Sequence, residues 1–109
     1  PIYAETSKDE SERMDMQQTL DKVLRRHTNV TLYACGHIHN FQHVRPKGST
    51  IDYVVNSSAS LSRKVGTTEG TLFCSPEPGF SVISADKQKL YLYMIDKNGN
   101  VLHMVKRTK

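Results

Sequence analysis

Three strand-like runs succeed one another closely towards the end of this chain: Phe80 to Ala85, Leu90 to Ile95 and Val101 to Lys106. The first two are joined by the polar stretch DKQK and the last two by DKNGN, whose Asn98-Gly99 pair is a hairpin signal. Connections this short hold consecutive strands antiparallel, because a parallel return needs a crossover of a dozen residues or more. The end of the chain is therefore constrained to an antiparallel sheet. On its middle run Tyr91 and Tyr93 share one face, and Leu90, Leu92 and Met94 share the other. The leucine face is the candidate core, and the tyrosine face the half-exposed one.

Upstream the pattern changes. Pro1 to Ala4 is a short extended piece, and TSKDESER, Thr6 to Arg13, is a polar loop leading into a helix. From about Glu12, Met16, Leu20, Val23 and Leu24 recur at helical spacing and predict one apolar stripe. Ser11 is the expected N-cap. Lys22, Arg25, Arg26 and His27 suit the negative end of the helix dipole, and Asn29 suits a left-handed stop. Three further strands are expected at Val30 to Cys35, Phe41 to Arg45 and Ile51 to Val55, with Pro46 to Ser49 as a turn. Asn56 to Gly70, rich in serine, threonine and glycine, predicts a long loop, and Ser75 to Gly79 another turn. The expected fold class is mixed α/β (α+β), one main helix packed on mostly antiparallel strands. The whole of residues 1–109 is expected to form a single domain with one small core.

Net charge is +4 with a pI near 9.2, part of it from the tail Lys106-Arg107-Thr108-Lys109, which is expected to be a frayed, solvated end. No RNP motif, basic helix or aromatic platform argues for nucleic acid. No apolar run is long enough to span a bilayer, so no membrane partner is expected. Cys35 and Cys74 make no disulfide framework and are expected to be small buried thiols, which leaves the compartment open. The first residue is proline. That fits either a trimmed initiator methionine or a chain that belongs to something longer.

The chemistry-bearing stretch is ACGHIHNFQH, Ala34 to His43. A buried strand running into Gly36 mounts His37 and His39 on a rigid base, as metal ligands usually are, and glycine there permits a tight loop. Adding Cys35 gives Cys-x-His-x-His, but a structural zinc site wants four ligands in spaced pairs, and this chain has one cluster. An incomplete half of a larger metal site fits better. Asn40 is expected to support the turn or a ligand from behind. His43 either lines the cleft rim or faces solvent, with solvent preferred, and His103 is expected to be structural.

The run CGHIHN resembles the last metal-binding motif, Gly-His-x-His, of calcineurin-like metallophosphoesterases, particularly the purple acid phosphatase branch. PIYAE resembles the segment just after that family's preceding ligand histidine, YVVNSSAS its strand and small-residue loop, and GFSVI with the paired strands its C-terminal ending. The resemblance implies a fragment of a double-sheet αββα sandwich. It also implies a parent enzyme that hydrolyses phosphate monoesters, or diesters, at two metal ions: iron with zinc, manganese or iron. His37 and His39 would be ligands, one to each ion, and the pair would clamp the ester and activate a water. The remaining ligands would lie upstream of Pro1, and a secreted or periplasmic parent would be in keeping. Two departures stand out. IYAETSKDE has no histidine where that branch often carries one, leaving Lys8 or Glu5 as weak substitutes, and Asn56-Ser57-Ser58-Ala59 replaces a Gly-Ala-Gly run. The fragment alone would bind metal weakly, lack turnover, and self-associate through an uncovered sheet face. The rival expectation is a small metal-binding or interaction module without catalysis.

Overall fold

A computed structural model describes residues 1–108. Its elements run α1 (Glu10–Gln18), α2 (Leu20–Arg25), β1 (Leu32–Cys35), β2 (Phe41–Val44), β3 (Asp52–Val55), β4 (Thr71–Ser75), β5 (Gly79–Ala85), β6 (Lys89–Asp96) and β7 (Val101–Thr108). The strands form two sheets. Sheet A has the order β1-β3-β2-β4 and sheet B the order β5-β6-β7. Among the described residues only β1 and β3 pair in parallel; the other pairings are antiparallel.

Alternation along β3 sets the layers. Tyr53 turns one way and joins Ile2 and Ile51 in a core against which Tyr3, Met16 and Leu24 pack, so the helices and the opening segment cover that face. Val54 turns the other way and joins Phe41 of sheet A with Leu92, Met94 and Val105 of sheet B. Burying each of these side chains contributes about 1.5–3 kcal/mol, which is what holds the sheets together. The expected α+β architecture with two mostly antiparallel sheets is therefore present.

The helix differs from its expectation. It breaks at Thr19, which has φ −117° and ψ −76° and whose Oγ1 donates to the Asp15 carbonyl at 2.8 Å. A hydroxyl bonded back onto its own helix competes with the ladder and bends it. The break rotates the predicted stripe, so Leu20 and Val23 are exposed and Asp21 is buried instead. Asp9 rather than Ser11 precedes α1, in left-handed conformation and without a side-chain cap. Asn29 is not left-handed, because the chain leaves α2 through Arg26 at φ −72°.

β4 was not anticipated, and it pairs with β2 so that Phe73 stands opposite His43. Asn98-Gly99 does make the β6–β7 turn, with Gly99 at φ 85° and the Asp96 carboxylate accepting the amides of Asn98 and Asn100. Lys106 to Thr108 complete β7 rather than fraying, while Lys109 lies outside the described residues. β5 starts at Gly79 for a steric reason: a Cβ there would sit 2.0 Å from the Ile95 carbonyl oxygen.

Candidate functional site

The turn after β1 is built from its histidines, not from its glycine. His37 has φ 83° and His39 has φ 59°, both in the left-handed region, whereas Gly36 is not left-handed and has open space where a Cβ would lie. Such conformations cost a non-glycine residue energy and persist only where the surroundings hold them. Here the hold is visible. Ile38 between them is 1% exposed, a buried plug, and the His39 carbonyl accepts the Arg63 amide at 2.9 Å from the long loop 56–70. Asn40 is buried, and its Oδ1 accepts from Gln42 Nε2 at 2.9 Å. Gln42 in turn clasps the opening segment. Its Oε1 accepts the Glu5 amide and its Nε2 donates to the Glu5 carbonyl. The Glu5 carboxylate accepts the Gly66 amide at 3.1 Å, so Glu5 ties a loop down.

Does this turn suit a metal? The His37 Nε2 lies 2.8 Å from Asp9 Oδ2, an exposed pair between the turn and the start of α1. Among the described residues no three His, Cys, Asp or Glu side chains converge as a metal-holding group. Cys35 and Cys74 are both free thiols. Burial pushes the Cys35 thiol up, and its sulfur lies 3.5 Å from the Val54 carbonyl, away from the role of a thiolate ligand. Two imidazoles, one of them paired with a carboxylate, do not by themselves make up a two-metal centre.

His43 is where the structure departs furthest from expectation. It does not face solvent but is 5% exposed between the sheets. Its Nε2 lies 2.7 Å from Asp52 Oδ1 and its Nδ1 2.8 Å from His103 Nε2. The His103 ring stacks on Phe73 with centroids 4.5 Å apart. Asp52, wholly buried, also accepts from Arg45 Nε and Nη2 at 2.9 and 3.0 Å and from Arg107 Nη1 at 2.7 Å. Burial pushes its carboxyl up, but the hydrogen bonds from His43, Arg45 and Arg107 outweigh this and hold it well below the usual carboxylate range. Burial, and then the neighbouring His43, push His103 down. One sequence signal pointed here: Asp52 is a lone acid inside the apolar run IDYVV, and a carboxylate buried in a strand needs cationic partners.

A second polar cluster lies on the helix side. Asp21 accepts from the hydroxyls of Tyr3 and Tyr53 and from Arg25 Nε. Burial, then Asp21, pushes the Tyr53 phenol up to about 12.

No family model matches the chain, and no curated protein does. Among solved structures the chain is similar to one titled "GAP50 the anchor in the inner membrane complex of Plasmodium". The TM-score is 0.81 with 23% identity, over 99% of this chain and 34% of that one. The chain thus spans about a third of the length of that structure's chain. This likeness shows the fold, which is consistent with a fragment of a purple acid phosphatase-like sandwich. It corrects the family expectation. The CGHIHN resemblance implied a catalytic metallophosphoesterase, yet no family or curated match supports that membership, and the neighbour is titled an anchor. What is shared is a scaffold, and a scaffold does not carry its chemistry with it.

Proposed function

We propose that this chain is a non-catalytic interaction module that docks a partner segment on the outer face of sheet B. The observation that carries the reading is the make-up of that face. Phe80, Val82, Val101 and Met104 are each exposed by 42% or more, and Tyr91, Tyr93 and Ile95 continue the surface between them. Contiguous exposed apolar surface on a small domain is the usual mark of an interaction site. The same face carries Lys89 and Lys106 and no carboxylate, since the one acid in these strands, Asp96, is buried and spent on turn amides. Apolar surface rimmed by amines and free of acids fits an amphipathic segment whose flanks are acidic. The anchor role named for the similar structure is in keeping with a binding role.

Anilinonaphthalene sulfonate, an apolar anion, is a suitable probe of the face. Saturable dye fluorescence is expected from the folded chain, weakened about fivefold or more by Val82→Glu at unchanged Tm. Dye binding indifferent to Val82→Glu would overturn the docking site. A dimer in sedimentation velocity that Val82→Glu dissolves would replace the partner segment with a second copy. Stoichiometric zinc binding by calorimetry, or hydrolysis of p-nitrophenyl phosphate, would overturn the non-catalytic reading.

A further inference from the structure

We propose that His43 and His103 form an acid-sensitive latch that holds sheet B against sheet A and loosens when the second of the two rings takes up a proton. His43 belongs to β2 of sheet A and His103 to β7 of sheet B, so their 2.8 Å contact is a direct bond between the two layers. The proton arrangement is dictated by the partners. An ionised carboxylate only accepts, so the His43 nitrogen facing Asp52 carries hydrogen. The nitrogen–nitrogen contact then holds one hydrogen, donated by either ring to the lone pair of the other. If both rings become imidazolium, two N–H groups face each other at that distance. The bond is lost and two like charges stand in its place.

The surroundings oppose that second proton. β3 presents Asp52, the segment after β2 presents Arg45, and β7 presents Arg107. Two guanidiniums against one carboxylate leave the cluster positive before either imidazole is charged. Around the pair, β4 contributes the Phe73 ring, and the inner face of β6 contributes Leu92 and Met94. None of these three can take up charge, and His43 is too buried for water to screen it. The unfolded or separated chain protonates both rings freely. Acid therefore favours separation, beginning as pH falls through the ordinary imidazole range. The apolar side chains between the sheets would be released with the latch.

The latch is tested by melting the chain between about pH 7.5 and pH 5, across the imidazole range. His103→Gln keeps an amide donor for His43 but cannot titrate. Wild type is expected to lose Tm on acidification and His103→Gln to lose less than half as much; the other histidines are common to both chains. Imidazole 15N shifts of the wild type supply a second readout that needs no variant. His103 should take up its proton only below the ordinary imidazole range, and its ring nitrogen should show a hydrogen bond to His43. Equal Tm losses in both chains, or a His103 ring that titrates at an ordinary midpoint with no bond to His43, would overturn the latch. If His103→Gln fails to fold, the wild-type shifts decide alone.

Discussion

Replacing Asp52 by alanine removes the one anion from a cluster that is otherwise cationic. The carboxylate has no exposed surface and accepts from His43 Nε2 at 2.7 Å, Arg45 Nε and Nη2 at 2.9 and 3.0 Å, and Arg107 Nη1 at 2.7 Å. Deleting one member of a buried pair costs about 3–5 kcal/mol, mostly because the surviving charge is stranded. Arg45 is 43% exposed and recovers water, whereas Arg107 is 21% exposed and His43 nearly enclosed, so the lower part of that range, about 3 kcal/mol, applies. A domain of this size has about 5–15 kcal/mol in total, so the loss is a large share of it. With a urea m-value of about 1–3 kcal/mol/M, the unfolding midpoint should fall by about 1–3 M. Asp52→Asn, which preserves volume and one acceptor, should fall in between. A midpoint shift below about 0.3 M for Asp52→Ala would refute the stranded-charge account, because the cations would then have been solvated all along.

Gly79→Ala should destabilise severely, by about 3 kcal/mol or more, since the new methyl meets the Ile95 carbonyl oxygen at 2.0 Å and Asp96 Cα at 3.0 Å. The measurement is thermal melting beside Gly99→Ala, where the cost is left-handed strain without a clash. Tyr53 makes stability fall at high pH. Its phenol is raised from 10.0 to about 12, so the folded state holds the proton more tightly than the unfolded chain. Its contribution is full below pH 10 and lost as pH rises towards 12, and Tyr53→Phe should flatten the alkaline limb of a Tm profile. A limb as steep in Tyr53→Phe as in wild type would exclude Tyr53 as the titrating group.

What the sequence made legible was whatever a local period encodes. β5, β6 and β7 could be read because Leu92 and Met94 alternate with Tyr91 and Tyr93, and Asn98-Gly99 demands its turn. The break at Thr19 was not legible, because Leu20 and Val23 keep helical spacing whether or not they face the core; the stripe records periodicity, and only the tertiary contact of Asp21 with Tyr3 and Tyr53 fixes the rotation. The burial of His43 is hidden from the sequence for a related reason. Its sequence neighbours Gln42 and Val44 point to no one environment, and the partners that bury it, Asp52, Phe73 and His103, come from three other strands. The turn carrying His37 and His39 makes the sharpest case. Gly-His-x-His is a local signature, whereas a two-metal centre is a convergence of side chains from many strands, so the motif can outlive the chemistry that made it recognisable. In this chain the motif has visible structural work. Left-handed backbone at His37 and His39 drives Ile38 into the interior and offers the His39 carbonyl to Arg63, so the local signature has a packing role that the motif alone does not reveal.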